Sequence, residues 1–355
     1  MIISKQLSHK LTLFSFLAIV LVLIIHSYNI ATIPTKTTTQ FYTINLFIQN
    51  FFSNALSRVS VPIFFIISGF LLFQNYTFSN YKLKLLKRVH SLLIPYIFWT
   101  SLVVAIYFLL QSIPSISVYF TSSLIKNLSI TELITTTWIH PKNYPLWFIR
   151  DLMLLVIVSP IVYILIQHLS KLYIPIILFV WFFDLIEPTT DFSLYKPEAV
   201  LFFSLGAYIA LKNSKLLSLS VSNALFITSV ILYFCVLIAY TYILTFQPTI
   251  SEYVPLILYK SSLLLGIIVL WFMLDRCQCK LLSRFTQYTF LYYVFHSIFF
   301  AILQKSSYSL FGYSSQTSFV LYISIPIIVL VALTIIGKLL YSYIPNFTHI
   351  IMGNR

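Results

Sequence analysis

Apolar residues fall in long unbroken runs along this chain, and the polar positions between them come in short clusters. The first run, LTLFSFLAIVLVLIIHSYN from Leu11 to Asn29, contains no carboxylate, lysine or arginine and follows Lys5 and Lys10. A hydrocarbon core about 30 Å thick is crossed by roughly 20 such residues in a helix. Runs of this kind recur to the end of the chain. They predict about ten spanning helices, near 11–30, 54–74, 90–111, 146–168, 171–187, 197–212, 220–246, 253–274, 286–304 and 317–341. The fifth and sixth are short for full spans, which implies tilt or incomplete crossing. The expected fold class is an all-α polytopic membrane protein, a bundle of about ten transmembrane helices forming one membrane-embedded domain over residues 1–355. Lysines before an apolar run imitate a signal peptide, but no small-residue cleavage site follows, so the first run is read as a retained helix.

Composition agrees. The chain is 59% hydrophobic and 8% charged, with a mean hydropathy of +0.94, whereas a soluble domain carries about 25% charged residues. The net charge of +14 acquires meaning from its placement. With a cytoplasmic N-terminus and ten spans, the inside segments hold Lys5, Lys10, Lys82, Lys84, Lys87, Arg88, Lys171, Lys212, Lys215, Arg276, Lys280, Arg284, Lys338 and Arg355. The outside loops hold Lys36, Lys126, Lys142, Lys196 and Lys305, while Arg58, Arg150 and Lys260 lie at outer ends of spans. The asymmetry obeys the positive-inside rule and predicts an N-in, C-in topology among membrane lipids, with no nucleic-acid partner. Three cysteines, Cys235, Cys277 and Cys279, are too few for a disulfide framework. The short C-x-C has no further ligands beside it, so no metal site is expected.

The ionisable groups of the spans collect at one depth. His26 lies fifteen residues beyond Leu11, about 22 Å at 1.5 Å per residue, and so in the outer half. Arg58 opens the second span from outside, and Arg150 and Asp151 open the fourth. Asp184 closes the fifth inside the apolar WFFDLIEP, Glu187 follows it, Glu198 and Lys260 enter from outside, and His296 lies in LYYVFHSIFF on its way out. An ionisable group in a span is a functional candidate, and together these imply an outward-facing polar cavity. Each also has a plainer reading. Arg58, Lys260 and Glu198 are the kind of residue that snorkels to the interface, Asp151 is the natural partner of Arg150, and a core histidine is often satisfied by backbone. On the inner side, YKLKLLKRVHSLLIPYIFW gathers Lys82, Lys84, Lys87, Arg88 and His90. Such a cluster serves either as an anchor to anionic lipid or as a dock for the phosphates of a cytosolic polyanion.

In order, these segments resemble the integral-membrane acyltransferase family 3, which includes bacterial O-acetyltransferases of surface glycans. The resemblance rests on FLAIVLVLIIHS ending in His26, SRVSVPIFFIISGFLLF (Ser57 to Phe73), KRVHSLLIPYIFW (Lys87 to Trp99), PLWFIRDLMLLVIVSP (Pro145 to Pro160) and FTQYTFLYYVFHSIFF (Phe285 to Phe300). Each block alone is weak; five in the family's order over nearly the whole chain are specific. One position departs: many members carry an arginine eleven residues before the histidine, where this chain has Ser15.

The resemblance implies transfer of an acyl group, usually acetyl, from cytosolic acyl-coenzyme A to a hydroxyl on the far side. The enzyme would sit in the bacterial cytoplasmic membrane with a surface glycan or lipid-linked sugar as acceptor. The donor is a substrate, and no permanently bound cofactor is expected. On this picture His26 is the base that activates the hydroxyl, with Asp184 or Glu198 orienting it. Arg58 or Arg150 stabilises the oxyanion, and His296 completes the candidate catalytic set. Lys84, Lys87 and Arg88 face the donor phosphates, and Ser68 and Gly69 either permit close helix approach or line the path of the pantetheine arm. Two other classes fit a membrane bundle with a charged cavity: a glycan-precursor transporter or flippase, which often shows an inverted repeat not visible here, and a non-catalytic sensor on the same fold.

Overall fold

The protein is described from a computed structural model that covers residues 4–33, 39–118, 120, 123–186, 196–276 and 284–354. Glu187, Cys277 and Cys279 lie outside the described residues. The first half of the chain builds α1 (Lys5–Ser27), α2 (Gln40–Gln49), α3 (Ser60–Phe73), α4 (Tyr81–Arg88), α5 (Ile94–Gln111), the short α6 (Pro114–Ser117) and α7 (Ile130–Ile134), α8 (Trp147–Ile157) and α9 (Ser159–Leu169). It continues with α10 (Tyr173–Phe182), α11 (Pro197–Leu211), α12 (Asn223–Phe246), α13 (Tyr253–Arg276), α14 (Thr289–Phe311), α15 (Ser315–Tyr343) and α16 (Pro345–Ile351). No strand occurs among the described residues.

Seven helical stretches are long and apolar enough to cross a membrane: Lys5–Thr32, Gln40–Phe73, Phe78–Gln111, Ser159–Phe182, Asn223–Phe246, Tyr253–Arg276 and Ser315–Tyr343. Pro197–Leu211 is a shorter apolar helix. The 23-residue α14 has the length, but its apolar run is diluted by His296, Gln304, Lys305 and several serines. The Ser159–Phe182 stretch is broken at Ser170, whose φ of 45° interrupts the helix between α9 and α10. Segments 146–168 and 171–187 of the sequence reading correspond to α8 with α9 and to α10, and Pro160 sits in the first turn of α9.

Two stretches begin well before the expected starts at 54 and 90. Gln40–Phe73 runs through a wide π turn at Asn50–Ala55 and a tight turn at Leu56–Val59. Its first half carries amides that lower hydropathy, yet they satisfy one another inside the bundle. Asn45, Gln49, Ser53, Ser57 and Ser60 recur every three or four residues, which places them on one helical face, and all are buried. Phe78–Gln111 likewise carries the basic α4 through a π turn at Val89–Leu93.

The tightest crossing joins α3 to α11. A Cβ on Gly69 would stand 2.1 Å from the Phe203 carbonyl oxygen, and one on Gly206 would stand 2.0 Å from that of Ile66. Only hydrogen fits at either place, so the two backbones touch directly. At the end of the chain α16 folds back on the start of α5. The Trp99 indole donates to the Ile351 carbonyl at 2.9 Å, and Gly353, at φ 73°, packs on the backbone of Ser91.

Candidate active site

A helix end and a distant helix build the centre of the site. Ser4 caps α1 by accepting from the Leu7 amide at 3.2 Å, and an apolar sequence without Gly or Pro carries the helix to Ser27. Beyond it, the Asn29 and Ile30 amides donate to Gln49 Oε1 at 2.9 and 3.2 Å. Gln49 Nε2 donates in turn to Asn29 Oδ1, Asn45 Oδ1 and Ser318 Oγ at 3.1, 3.0 and 3.0 Å. Asn29 Nδ2 closes the network on the Ser318 carbonyl at 3.2 Å. Ser53 Oγ adds a bond to the Ile24 carbonyl at 2.6 Å. The C-terminal end of α1, with His26, is thereby fixed to α2 and α15 at once.

His296 comes to the same place on α14. Tyr292 shares a 2.8 Å hydrogen bond with Thr334 of α15, and Asn143 donates to the Val294 carbonyl at 2.7 Å while accepting from Ser297 at 2.7 Å. The Tyr293 hydroxyl donates to the Pro145 carbonyl. His296 is 0% exposed. Its Nδ1 lies 2.9 Å from the carbonyls of both Tyr292 and Tyr293. Two acceptors require a proton on that nitrogen, so the neutral ring carries its lone pair on Nε2. Nε2 has no hydrogen-bond partner among the described residues. The two imidazoles are neighbours, with centroids 4.8 Å apart and planes inclined by 55°.

Arg58 sits in the tight turn before α3, exposed, with Nη2 donating to Asn54 Oδ1 at 2.6 Å. It interacts electrostatically with His26 and with Glu198. Glu198, in the first turn of α11, accepts from the Trp181 side chain and also feels Lys260. Lys260 does not snorkel: it is 3% exposed, pairs with Asp184 at 2.7 Å and donates to the Trp181 carbonyl at 2.6 Å. Asp184 is placed differently from expectation. The carboxylate side chain is 48% exposed, because α10 ends at Phe182 and the chain turns at Asp184 with φ 48°. Trp147, Trp181, Tyr259, Glu198, Asp184 and Lys260 border a cavity of about 300 Å³.

The remaining candidates are held elsewhere. Arg150 is buried on α8, donating from Nε to Asp151 Oδ1 at 2.7 Å and from Nη1 to the Ile139 carbonyl at 2.6 Å. Lys84 donates to the carbonyls of Leu72 and Gln74 at 2.8 and 2.6 Å, closing the C-terminal end of α3. Lys87 is exposed, and Arg88 and Ser68 are half-buried. Gly69 faces the α11 backbone, the packing alternative of the two that its sequence context offered.

A family model described as an acyltransferase domain matches residues 9–339. The chain belongs to acyltransferase family 3. It is a membrane acyltransferase, and the histidine pair lies in two of the blocks that carried the resemblance. No curated protein and no solved structure matches the chain. Ser15, where many members of the family have arginine, bonds its own helix through the Leu11 carbonyl at 3.0 Å. Lys10, the nearest cation on α1, pairs with Asp275 at 2.6 Å.

Sequence reasoning overlooked the Asn29, Asn45, Gln49 and Ser318 network, although amides and serines spaced by four residues in an apolar helix were a legible signal. Asn143, the clasp on α14, stood in a polar loop with nothing to mark it. Trp181 and Tyr259 were lost among the many aromatics.

Proposed function

We propose that this acyltransferase moves an acetyl group from cytosolic acetyl-coenzyme A to a hydroxyl of an extracytoplasmic surface glycan or a lipid-linked precursor. It does so from the bacterial cytoplasmic membrane in an N-in, C-in bundle of about ten spans. The observation that carries the reading is the contact between the half-buried His26 and the fully buried His296. A sugar hydroxyl is a poor nucleophile, and imidazole is the side chain whose ordinary pKa suits removal of its proton near neutrality.

His26 takes the proton as the hydroxyl oxygen bonds to the thioester carbonyl carbon. Collapse of the tetrahedral intermediate breaks the carbon–sulfur bond, and the proton passes to the departing sulfur, leaving an oxygen ester and free coenzyme A. His296 acts from behind: its ring orientation is locked by two carbonyls, and its ring lies against that of His26. Arg58, which senses both His26 and Glu198, supplies positive charge for the oxyanion. The aromatic faces of Trp147 and Trp181, with the carboxylates of Glu198 and Asp184, suit a sugar that stacks and hydrogen-bonds. Orientation is supported by the grouping of Lys10, Lys215 and Arg276 around a single cavity, as an inner basic end requires.

The test is the acetyl content of surface glycans from a deletion strain complemented with wild type or with His26→Ala. Loss of acetyl esters that only wild type restores is the expected result. Unchanged acetylation with reduced glycan export would instead mark a transporter.

A further inference from the structure

Opposite in character to the aromatic outer cavity is a cleft of about 670 Å³ lined by Gln6, Lys10, Gln74, Lys215, Asp275 and Arg276, among others. We infer that this cleft binds the phosphates of the acyl-coenzyme A donor. The inference rests on the donor assignment made above and adds the place where the donor is held.

Four observations converge. The charge is unbalanced, since three cations line the cleft against the single carboxylate of Asp275. Two helices begin there: Ser4, Gln6 and Leu7 lie at the start of α1, and Asn223 opens α12, with Val221 just before its cap. First-turn amides and the positive ends of helix dipoles favour phosphate oxygens. Gln74, whose buried Nε2 has no partner among the described residues, forms part of the lining, and the ammonium of the exposed Lys215 makes none of the described bonds. The other two cations are held in place. Lys10 is fixed by Asp275 at 2.6 Å and lies 3.6 Å over the Trp271 ring, while Arg276 donates to the Val221 carbonyl at 2.9 Å. The volume falls in the range of small-molecule sites and exceeds what one carboxylate needs.

The same geometry gives the sequence cluster another task. Lys84 spends two donors on the Leu72 and Gln74 carbonyls, which fixes the wall from which Gln74 reaches the cleft. Lys84 is thus a positioning residue here. From Lys10, α1 runs sixteen residues to His26, about 24 Å along the axis, so one helix joins the phosphate cleft to the histidine pair.

The experiment measures binding of coenzyme A and of pantetheine to the full-length protein in phosphatidylcholine nanodiscs. The variants are Lys10→Gln, Lys215→Gln and Arg276→Gln, with Lys171→Gln as control. Each cleft variant should weaken coenzyme A about tenfold, the scale of one charge-assisted contact, and leave pantetheine and the control unchanged. Lys215 is exposed, so Lys215→Gln and the reversal Lys215→Glu decide the matter if the other two variants fold poorly. Equal coenzyme A affinity in wild type and cleft variants would overturn the inference while leaving the donor assignment standing. Absence of coenzyme A binding to wild type would remove the donor assignment and the inference with it. Loss of coenzyme A binding in discs containing phosphatidylglycerol would assign the cleft to lipid phosphate and also overturn it.

Discussion

His26 and His296 place their ring centroids 4.8 Å apart although they belong to helices at opposite ends of the sequence. One ring has its orientation set by two carbonyls at 2.9 Å, and the other rides on a helix end that four side chains anchor. The pair makes unequal demands on mutation. His26→Ala should reduce acyl transfer by about a thousandfold, within the usual range for a general base, at unchanged membrane abundance. The measurement is acetyl transfer by washed membranes normalised to protein level.

His296→Asn separates position from chemistry. An amide can still donate to the Tyr292 or Tyr293 carbonyl but brings no basic nitrogen. A fall in rate of about ten- to a hundredfold with an unchanged melting temperature is expected. A full rate in this variant would reduce His296 to a packing residue.

Gln49→Leu should loosen the end of α1. It removes the acceptor for two buried amides and the donor that reaches Asn29, Asn45 and Ser318. Leaving buried polar groups without partners costs about 1–3 kcal/mol each, so the thermal midpoint in detergent should fall clearly. Transfer should fall further than stability explains, because His26 loses its anchor. Gln49→Glu keeps the acceptor and should retain more of both.

Gly69→Ala adds a methyl 2.1 Å from a carbonyl that cannot swing aside. Forced separation of α3 and α11 should cost about 1–3 kcal/mol, read as a lower melting temperature. Gly206→Ala should do the same, and the double variant should cost less than the sum, since one separation accommodates both methyls.

Asp184 and Lys260 make an asymmetric pair. Lys260 is 3% exposed and the Asp184 carboxylate 48%, so water can take over the acid but not the ammonium. Asp184→Asn should therefore destabilise more than Lys260→Met. Thermal melts of the two variants, side by side, check the order.

The individual histidines were legible in the sequence because an imidazole in an apolar run is conspicuous. Their meeting was not, since each has a sufficient local explanation and nothing along the chain pairs position 26 with 296. The span around Ser60–Phe73 was visible from hydropathy, whereas its continuation back to Gln40 was hidden by the amides that bind inside the bundle. Gly69 announced a close approach without naming Gly206 as the other side. Lys84 shows the reverse difficulty: charge density marked the segment, while the hydrogen bonds that occupy its ammonium depend on where α3 ends.

The Asn29–Ser318 clasp spans 289 residues. At a synthesis rate of about 5–20 residues per second, the asparagine waits roughly 15–60 s before its serine has even been made. For most of that interval the C-terminal end of α1 lacks part of its anchor, and His296 does not yet exist. A nascent chain interrupted before α14 thus has every residue of the first span but lacks the second histidine of the pair. The pairing of the two histidines and the anchoring of α1 therefore both wait for the last two long helices, α14 and α15.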